Sequence, residues 1–393
     1  MGEPRTQLKM RWRPYFRIVV PIVAAVIVYG SYWAATAFRA AHPDEPTLPT
    51  SLDDSQFWTL IEELSEAGGT FHSDNWVSNE SNYQHVIVPV LARTGGGGVY
   101  IGVGPEQNFT YIAAFRPRMA FIVDIRRQNL LQHLMYKALF ELSPTRVEFL
   151  SRLFARPLLD VDTNSSAAQL VHAAEASAPD ASYATAVFDE VRSLLVEKHG
   201  FPLSAEDLAV LERVQRPFAT AGPNVRYTFT VANQMAFAAV SMPTLGELIQ
   251  ETDGSGRPWN FLADEGAYRR VRDLHLRNLI VPVVGDFAGE HALRAIGRYL
   301  HRQKARVSVF YVSNVEQYLF QQGEAWRLFY ENVRTLPVTD SSVFIRSVSG
   351  RRWAARQNPR ARSAQLYSGI RTLIAEYRKN RVETYWDVIN ASR

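Results

Sequence analysis

Short apolar runs alternate with stretches of helical periodicity along this chain, and each run ends near a glycine or an acid. Residues 99–103 form the first such run, and residues 107–114 can fold as one amphipathic helix. Residues 119–123 form the second run, which ends at Asp124. This pattern predicts a strand, a glycine turn, a helix and a parallel strand in succession, which is a βαβ unit.

The second half of the chain repeats the alternation. Strands are predicted over residues 278–284, 306–312 and 342–346, and helices over residues 292–301 and 326–333. Alternation of this kind favours an α/β fold that is Rossmann-like, with a mainly parallel sheet and helices on both of its faces. The side chains just beyond the strand ends are therefore expected to line a ligand crevice.

Two further segments differ from this alternation. Residues 143–276 are mostly helical in pattern and separate the second predicted strand from the third, so we expect a large helical insertion there. Residues 71–85 are polar and aromatic without a clear period. They are predicted either to cover the ligand cleft, where Asn79, Glu80 and Tyr83 would reach a ligand, or to form an ordered surface loop.

The amino-terminal region has the pattern of a membrane anchor. Residues 18–38 form an apolar, uncharged run that is long enough to cross a bilayer. Basic residues precede this run and acids follow it, so the charge bias predicts a single-pass protein whose body lies on the non-cytoplasmic side. A cleaved signal peptide is the alternative, because residues 35–37 match an A-x-A cleavage pattern. We expect a basic cytoplasmic segment at 1–17, the anchor or signal peptide at 18–38, and a proline-rich linker at 39–52.

Composition narrows the classes of protein that fit. An apolar content of 47% in 393 residues is enough for a folded body, predicted here over residues 53–347. The absence of cysteine excludes disulfides, Cys-bound zinc, iron–sulfur clusters and a thiol nucleophile. No His or carboxylate spacing indicates a metal site, and the chain has no G-x-S-x-G elbow, Walker lysine or H-E-x-x-H motif.

The net charge of +4 is unevenly distributed. Residues 1–17 carry +4 and residues 346–393 carry +8, which leaves about −8 for the middle of the chain. We expect residues 348–393 to form a basic tail, with one helix over residues 364–378, that contacts anionic lipid or a polyanion. Trp353 is the only aromatic residue within the first arginine cluster, so a nucleic-acid interface has little support.

Gly102, Gly104 and Asp124 carry the chemistry of the predicted βαβ unit. Glycines after a strand let a ligand approach backbone N–H groups at the start of a helix. An acid about 20 residues further on can accept both hydroxyls of a ribose. Each feature alone is also typical of an ordinary turn or a helix cap. In this order and spacing they predict a nucleotide-like site for a small molecule.

Residues 99–130 resemble the first two strands of the class I S-adenosylmethionine-dependent methyltransferases. The turn IGVG is similar to their first motif, VDI is similar to the second strand, whose acid holds the ribose, and VGDF resembles a later motif near the adenine. The resemblance implies S-adenosylmethionine as the cofactor, held by Gly102, Gly104, Glu106, Asn108, Asp124, Asp286 and Phe287. It also implies that Asn314 and Glu316 bind or deprotonate a methyl acceptor. Residues 53–347 as a whole resemble an uncharacterised bacterial, membrane-anchored family with the segments GVGPEQN, VVGDFAG and SNVEQYL.

Two functions are compatible with these patterns. The first is a membrane-anchored enzyme that transfers a methyl group from S-adenosylmethionine to an unknown acceptor. The alternative is a non-catalytic Rossmann-like module of the cell envelope that binds a small ligand or a partner. The intact glycines and acids favour the enzyme. Tyr100 in place of the usual acid, Glu106 in place of the third glycine, and the outward topology favour the alternative.

Overall fold

A six-stranded sheet organises the part of the chain that the computed structural model describes, which comprises residues 47–228, 242–350 and 363–393. The strand order is β3-β2-β1-β4-β5-β6. Strands β1 to β5 are parallel to their neighbours, and β6 is antiparallel to β5. The predicted α/β class with a mainly parallel sheet is therefore confirmed. The strands are β1 (Val99–Gly102), β2 (Met119–Asp124), β3 (Ile280–Val284), β4 (Val307–Ser313), β5 (Val338–Ser349) and β6 (Ser363–Gly369).

The central strands are continuous apolar runs because they are buried on both faces. Every residue of β1, β2 and β3 is buried. Helices cover both faces, as two adjacent residues of β4 illustrate: Phe310 packs against Phe329 on one face, and Tyr311 packs against Tyr111 on the other. Successive side chains on a strand point to opposite faces of the sheet, so Phe310 and Tyr311 contact the helical layers on its two faces.

The α-helices in the described part of the chain are α1 (Asp54–Leu64), α2 (Ile87–Thr94), α3 (Gln107–Phe115), α4 (Arg127–Leu142), α5 (Arg146–Phe154), α6 (Ala167–Ala176), α7 (Ala181–Arg192), α8 (Ala205–Ala221), α9 (Leu245–Gln250), α10 (Glu265–Leu276), α11 (Ala292–Arg302), α12 (Val315–Leu319), α13 (Ala325–Val333), α14 (Ile370–Arg378) and α15 (Tyr385–Asn390). Helices α3, α11 and α13 begin and end within one residue of their predicted bounds. The described helices between β2 and β3 are α4 to α10, of which α5 to α10 fall in the predicted insertion 143–276, and α10 returns to pack against α3 and α4.

The carboxyl-terminal region differs from the prediction. The helix expected over residues 364–378 begins only at Ile370, because residues 363–369 are strand β6. Strand β6 pairs with β5 from Val343↔Gly369 to Ser349↔Ser363, and it buries Leu366. The prediction of helix before Ile370 is wrong because pairing with a distant strand outweighs local helical propensity.

Several sequence predictions concern residues outside the described ranges. These are the basic segment at 1–17, the anchor or signal peptide at 18–38, the first part of the linker at 39–52, and the arginine cluster at 351–362. Among the described residues, every helix is too short or too polar to span a bilayer.

Candidate functional site

A single cleft collects residues from the carboxyl ends of four parallel strands. After β1 come Val103 to Pro105, and after β3 come Gly285 to Phe287. The end of β2 contributes Asp124, and the next two residues, Ile125 and Arg126, also line the cleft. Tyr311 and Ser313 come from the end of β4, and Asn314 and Val315 follow it. A segment that we call the roof, residues 71–80, contributes Phe71, Asn75, Ser78, Asn79 and Glu80.

The position of this cleft follows from the strand order. The chain moves from β1 outward to β2 and β3, then crosses to β4 on the other side of β1. Right-handed crossovers in opposite directions put their helices on opposite faces, which leaves a crevice beyond the carboxyl ends of β1 and β4. The cleft encloses about 920 Å³ including its open mouth.

The two predicted glycines have different roles in the turn after β1. Gly104 lines the cleft with φ +79°, a left-handed conformation that favours glycine. Gly102 does not line the cleft, and a Cβ built there would lie 2.0 Å from Asn108 Oδ1. Glycine at position 102 is therefore required by packing against α3.

Asn108 holds the same turn from inside the protein. Its amide donates to the carbonyl oxygens of Val103 (3.0 Å), Gly104 (3.2 Å) and Pro105 (2.7 Å), and its Oδ1 accepts from the Tyr100 hydroxyl at 2.8 Å. The side chain is fully buried and lies outside the cleft lining. The structure places Asn108 as a support of the glycine turn, and its predicted contact with a cofactor stays a prediction.

His133 of α4 also contacts the turn, and no sequence motif pointed to it. Its Nε2 lies 2.9 Å from the Gly104 carbonyl oxygen, and the ring is buried. Burial lowers the pKa of His133 to about 4, so the neutral ring donates its Nε2–H to this carbonyl near pH 7. A His on the buried face of a helix carries no sequence signal that separates it from ordinary core residues.

Asp124 is paired with Arg126. The guanidinium donates to both carboxylate oxygens, Nε to Oδ1 at 2.9 Å and Nη2 to Oδ2 at 2.8 Å, and the Arg126 backbone N–H donates to Oδ1 at 3.0 Å. Nη1 donates to the Ser73 and Asp74 carbonyl oxygens of the roof. Burial alone would lower the pKa of Arg126, but the Asp124 carboxylate raises it above its ordinary value. Asp124 therefore fastens the roof to the end of β2 in addition to lining the cleft.

Asp286 and Phe287 both line the cleft after β3, and their predicted contact with a cofactor stays a prediction. Asp286 Oδ1 accepts from the Ala288 backbone N–H at 2.9 Å, and the Asp286 backbone N–H donates to Glu66 Oε1 at 2.8 Å. The Phe287 ring is buried and stacks on Phe329 with centroids 5.5 Å apart. These contacts fix the backbone of the turn, so the carboxylate of Asp286 is held at the cleft wall.

Asn314 and Glu316, the predicted catalytic pair, lie in different environments. Asn314 lines the cleft beside Ser313. Glu316 is 1% exposed and outside the lining, where its carboxylate accepts from Arg346 Nε at 2.6 Å and from the Tyr330 hydroxyl at 2.9 Å. The predicted pair is therefore not brought together at one surface of the cleft.

Glu106 is also buried outside the lining. Its Oε1 accepts from the Ser78 backbone N–H at 3.1 Å, while Oε2 has no hydrogen-bond partner among the described residues. Burial raises the pKa of Glu106 to about 7. Within the described ranges, no group of three or more His, Asp or Glu side chains is arranged to hold a metal ion.

Residues 71–85 are predicted either to cover the cleft or to form a surface loop, and of these residues none beyond residue 80 lines it. Asn79 and Glu80 line the cleft, as one of the two readings of this segment predicted. Tyr83 is buried away from it, where its hydroxyl donates to the Leu248 carbonyl oxygen at 3.2 Å and accepts from Asn260 Nδ2 at 2.8 Å. The roof is thus part of the site, and the residues after it anchor the roof to α9.

Residues 75–370 match the family described as "Domain of unknown function (DUF7790)". The chain belongs to this family. The match spans the sheet from β1 to β6 and most of the cleft lining, from Asn75 to Gln322. Among curated proteins, none matches the chain.

Proposed function

We propose that the cleft binds a nucleoside-containing methyl donor, S-adenosylmethionine, and that the protein transfers the methyl group to an acceptor that enters beside the end of β4. The observation that carries this proposal is convergence: Gly104, Asp124 and Asp286 lie in one cleft although 182 residues separate the first from the last. The strand order and the position of the cleft also support a Rossmann-like fold, in which ligands bind at this point.

The residues of the cleft fit such a ligand in part. An ionised carboxylate has about four acceptor positions, and Asp124 uses three of them for Arg126. One position remains, enough for one ribose hydroxyl and not for both. Asp286 uses Oδ1 for a backbone contact, and its other oxygen is positioned to accept from the base or the ribose. The open backbone at Gly104 admits close approach of the donor.

The contribution of the protein to methyl transfer would be positioning and exclusion of water. A bound methyl donor supplies the electrophilic carbon, so no protein nucleophile is required. The cleft would align the acceptor with that carbon and remove its hydration. Asn314 lies at the wall where an acceptor would enter, and its amide can orient one by hydrogen bonding.

The second candidate function is a non-catalytic binding module, and one observation favours it. Asp124 is already committed to Arg126 and the roof, so the acid expected to hold a ribose also has a structural task. Glu106 and Asn108 likewise contact the protein and not the cleft. A cleft of this kind can hold a ligand without turnover.

Calorimetric titration of the full chain with S-adenosylmethionine and S-adenosylhomocysteine tests the proposal. We expect both to bind, and Asp286→Asn to weaken binding by about 10- to 100-fold, since a hydrogen bond to a charged group contributes about 1.5–3 kcal/mol. Asp340→Asn is the matched control, because that side chain is 91% exposed and distant from the lining. Absence of binding at millimolar concentration would leave the binding-module function.

The membrane anchor predicted over residues 18–38 is part of the proposal. A methyl donor made in the cytosol requires the body to face the cytosol, whereas the charge bias predicts the opposite side. A topology reporter fused after Arg393 distinguishes the two. A cytoplasmic signal supports the enzyme, and an external signal supports the binding module.

A further inference from the structure

Glu80 presents a buried carboxylate to the cleft. The side chain comes from the roof, is 3% exposed and lines the cleft wall near the end of β4. Its oxygens accept from Gln107 Nε2 at 3.1 Å, from Gln365 Nε2 at 2.9 Å, and from the hydroxyls of Ser313 and Tyr311. All four donors are neutral, so the site is rich in hydrogen bonds but contains no compensating charge.

No cationic side chain among the described residues forms an ion pair with Glu80. Asp124, by contrast, forms an ion pair at the cleft, with Arg126 Nη2 2.8 Å from its Oδ2. A buried carboxylate without a cation is unfavourable, because hydrogen bonds replace only part of the hydration that burial removes. Burial raises the pKa of Glu80, and its hydrogen bonds offset this only in part. A cation brought by a ligand would supply the missing charge.

The backbone around Glu80 is held in unfavourable conformations. Ser313, which donates to Glu80, has φ +51°, and Asn75 on the roof has φ +53°. Left-handed conformations at residues other than glycine cost about 1–3 kcal/mol. Both residues line the cleft, so this strain lies in its wall.

Aromatic rings surround the same space. Phe71, Tyr227, Tyr311 and Tyr318 line the cleft, and Phe71 meets Tyr318 edge-to-face with centroids 5.1 Å apart. The face of an aromatic ring attracts a cation, most strongly where water is excluded. The Arg126 guanidinium already lies 5.7 Å from the Phe71 ring centroid, and Tyr311, which donates to Glu80, is the ring that joins this aromatic lining to the carboxylate. A carboxylate beside an aromatic ring is suited to recognising an organic cation.

We infer that Glu80 is the recognition point for an organic cation, a sulfonium or a protonated amine, on the ligand that occupies the cleft. One source of this cation is the methyl donor, which carries both a sulfonium and an amine, and for this source the inference rests on the proposed function. The other source is an amine that binds on its own or as a methyl acceptor. Both sources share the same chemistry, and the experiment distinguishes them.

The test uses the full chain, its Glu80→Gln variant and the control Glu251→Gln. Gln keeps the shape of Glu80 and removes its charge. Glu251 is a matched control because its carboxylate also holds the segment after the roof, accepting from the Asn82 backbone N–H at 3.1 Å, but lies outside the cleft. Calorimetry measures S-adenosylmethionine and S-adenosylhomocysteine, and ligand-observed NMR compares 2-phenylethylamine with its neutral isostere 2-phenylethanol.

Four results support the inference. A loss of 10-fold or more in Glu80→Gln for S-adenosylmethionine, but not for S-adenosylhomocysteine, places the sulfonium at Glu80, and an equal loss for both places the shared ammonium there. Unchanged nucleoside binding with loss of the amine indicates a separate amine subsite. If neither nucleoside binds and the amine still depends on Glu80, the methyl-donor function fails and the cation site stands.

Other results overturn it. If the wild-type chain binds the amine and the alcohol equally, or binds neither, and Glu80→Gln leaves nucleoside binding unchanged, Glu80 recognises no cation. An equal loss in Glu251→Gln would show that the effect comes from general loosening of the roof and would also reject the inference. The comparison of amine with alcohol needs only the wild-type protein, so if Glu80→Gln does not fold it still tests whether the cleft prefers a cation, and equal binding of the two rejects the inference.

Discussion

Glu316 and Glu80 are both almost fully buried near the carboxyl edge of the sheet, yet their partners differ in charge. Glu316 faces Arg346, which donates from Nε at 2.6 Å and from Nη2 at 3.2 Å. Glu80 faces only amides and hydroxyls, and it borders the cleft. An acid neutralised by the chain itself belongs to the fold, whereas an acid left with neutral donors beside a cavity is available to a ligand.

The same division separates the other predicted site residues. Gly104, Asp124, Asp286, Phe287 and Asn314 line the cleft. Gly102, Glu106, Asn108 and Glu316, which with Arg346 we call the buried shell, pack next to the cleft without lining it. Substitutions in the shell should therefore change stability, and substitutions at the cleft should change binding.

The largest expected effect is in the shell, at Arg346. Arg346→Met should lower the free energy of unfolding by about 3–5 kcal/mol, because it leaves Glu316 buried without a cation. Urea denaturation followed by circular dichroism measures this. The double variant Arg346→Met with Glu316→Leu should recover most of the loss, since an apolar pair needs no counter-charge. A loss below about 1 kcal/mol in the single variant would remove the distinction between shell and cleft.

The next effect concerns Glu106 and pH. Its pKa of about 7 in the folded state lies above the ordinary value of 4.5, so the folded state binds the proton more tightly. Stability is then lost as pH rises from about 4.5 to about 7, by up to about 3 kcal/mol. Glu106→Gln should abolish this loss, so its stability relative to wild type should be higher at pH 8 than at pH 5. The exposed Glu175→Gln variant should show no such difference.

A smaller effect is expected at Gly104. Gly104→Ala should cost about 1–2 kcal/mol of stability, because φ +79° is unfavourable for a residue with a Cβ. Gly97 is the matched control, with φ +73° and open space around its Cβ position outside the cleft. Both variants should lose similar stability in thermal denaturation, but only Gly104→Ala should also weaken binding of S-adenosylmethionine. Equal binding by the two variants would contradict a ligand at Gly104.

The smallest effect on stability is expected at Asn314. Asn314→Ala should change the free energy of unfolding by less than about 0.5 kcal/mol, since the side chain is only half-buried at the cleft wall. Binding or turnover of an acceptor should fall while binding of the donor is kept. A large loss of stability would place Asn314 with the shell.

The strand ends were predictable from the sequence, but the direction of the side chains beyond them was not. The buried strands β1 to β4 are apolar runs that end in glycines, an acid or a serine, so Gly104, Asp124 and Asp286 could be placed at one edge. Asn108, in the first turn of α3, faces Tyr100 and not the cleft. A sequence motif does not encode this packing of the helix against β1. Apart from their closeness in the chain, nothing in the sequence indicated that Asp124 pairs with Arg126.

Long-range contacts account for the remaining differences. Strand β6 is defined by its pairing with β5, and Gln365 of β6 reaches Glu80 across 285 residues of chain. The roof was recognised only as polar and aromatic, because its fold depends on Arg126, Gln107 and Ser313, each from a different element. Local periodicity identifies elements, whereas these contacts depend on how the elements are arranged.

The Arg126 contacts also bear on how fast a ligand could enter and leave. One guanidinium joins the end of β2 to two carbonyl oxygens of the roof, so raising this part of the roof breaks several charge-assisted hydrogen bonds at once. We therefore expect exchange to proceed through the existing mouth of the cleft. The residence time of a ligand should then depend on its own size and shape at the mouth, and only weakly on the motion of a lid.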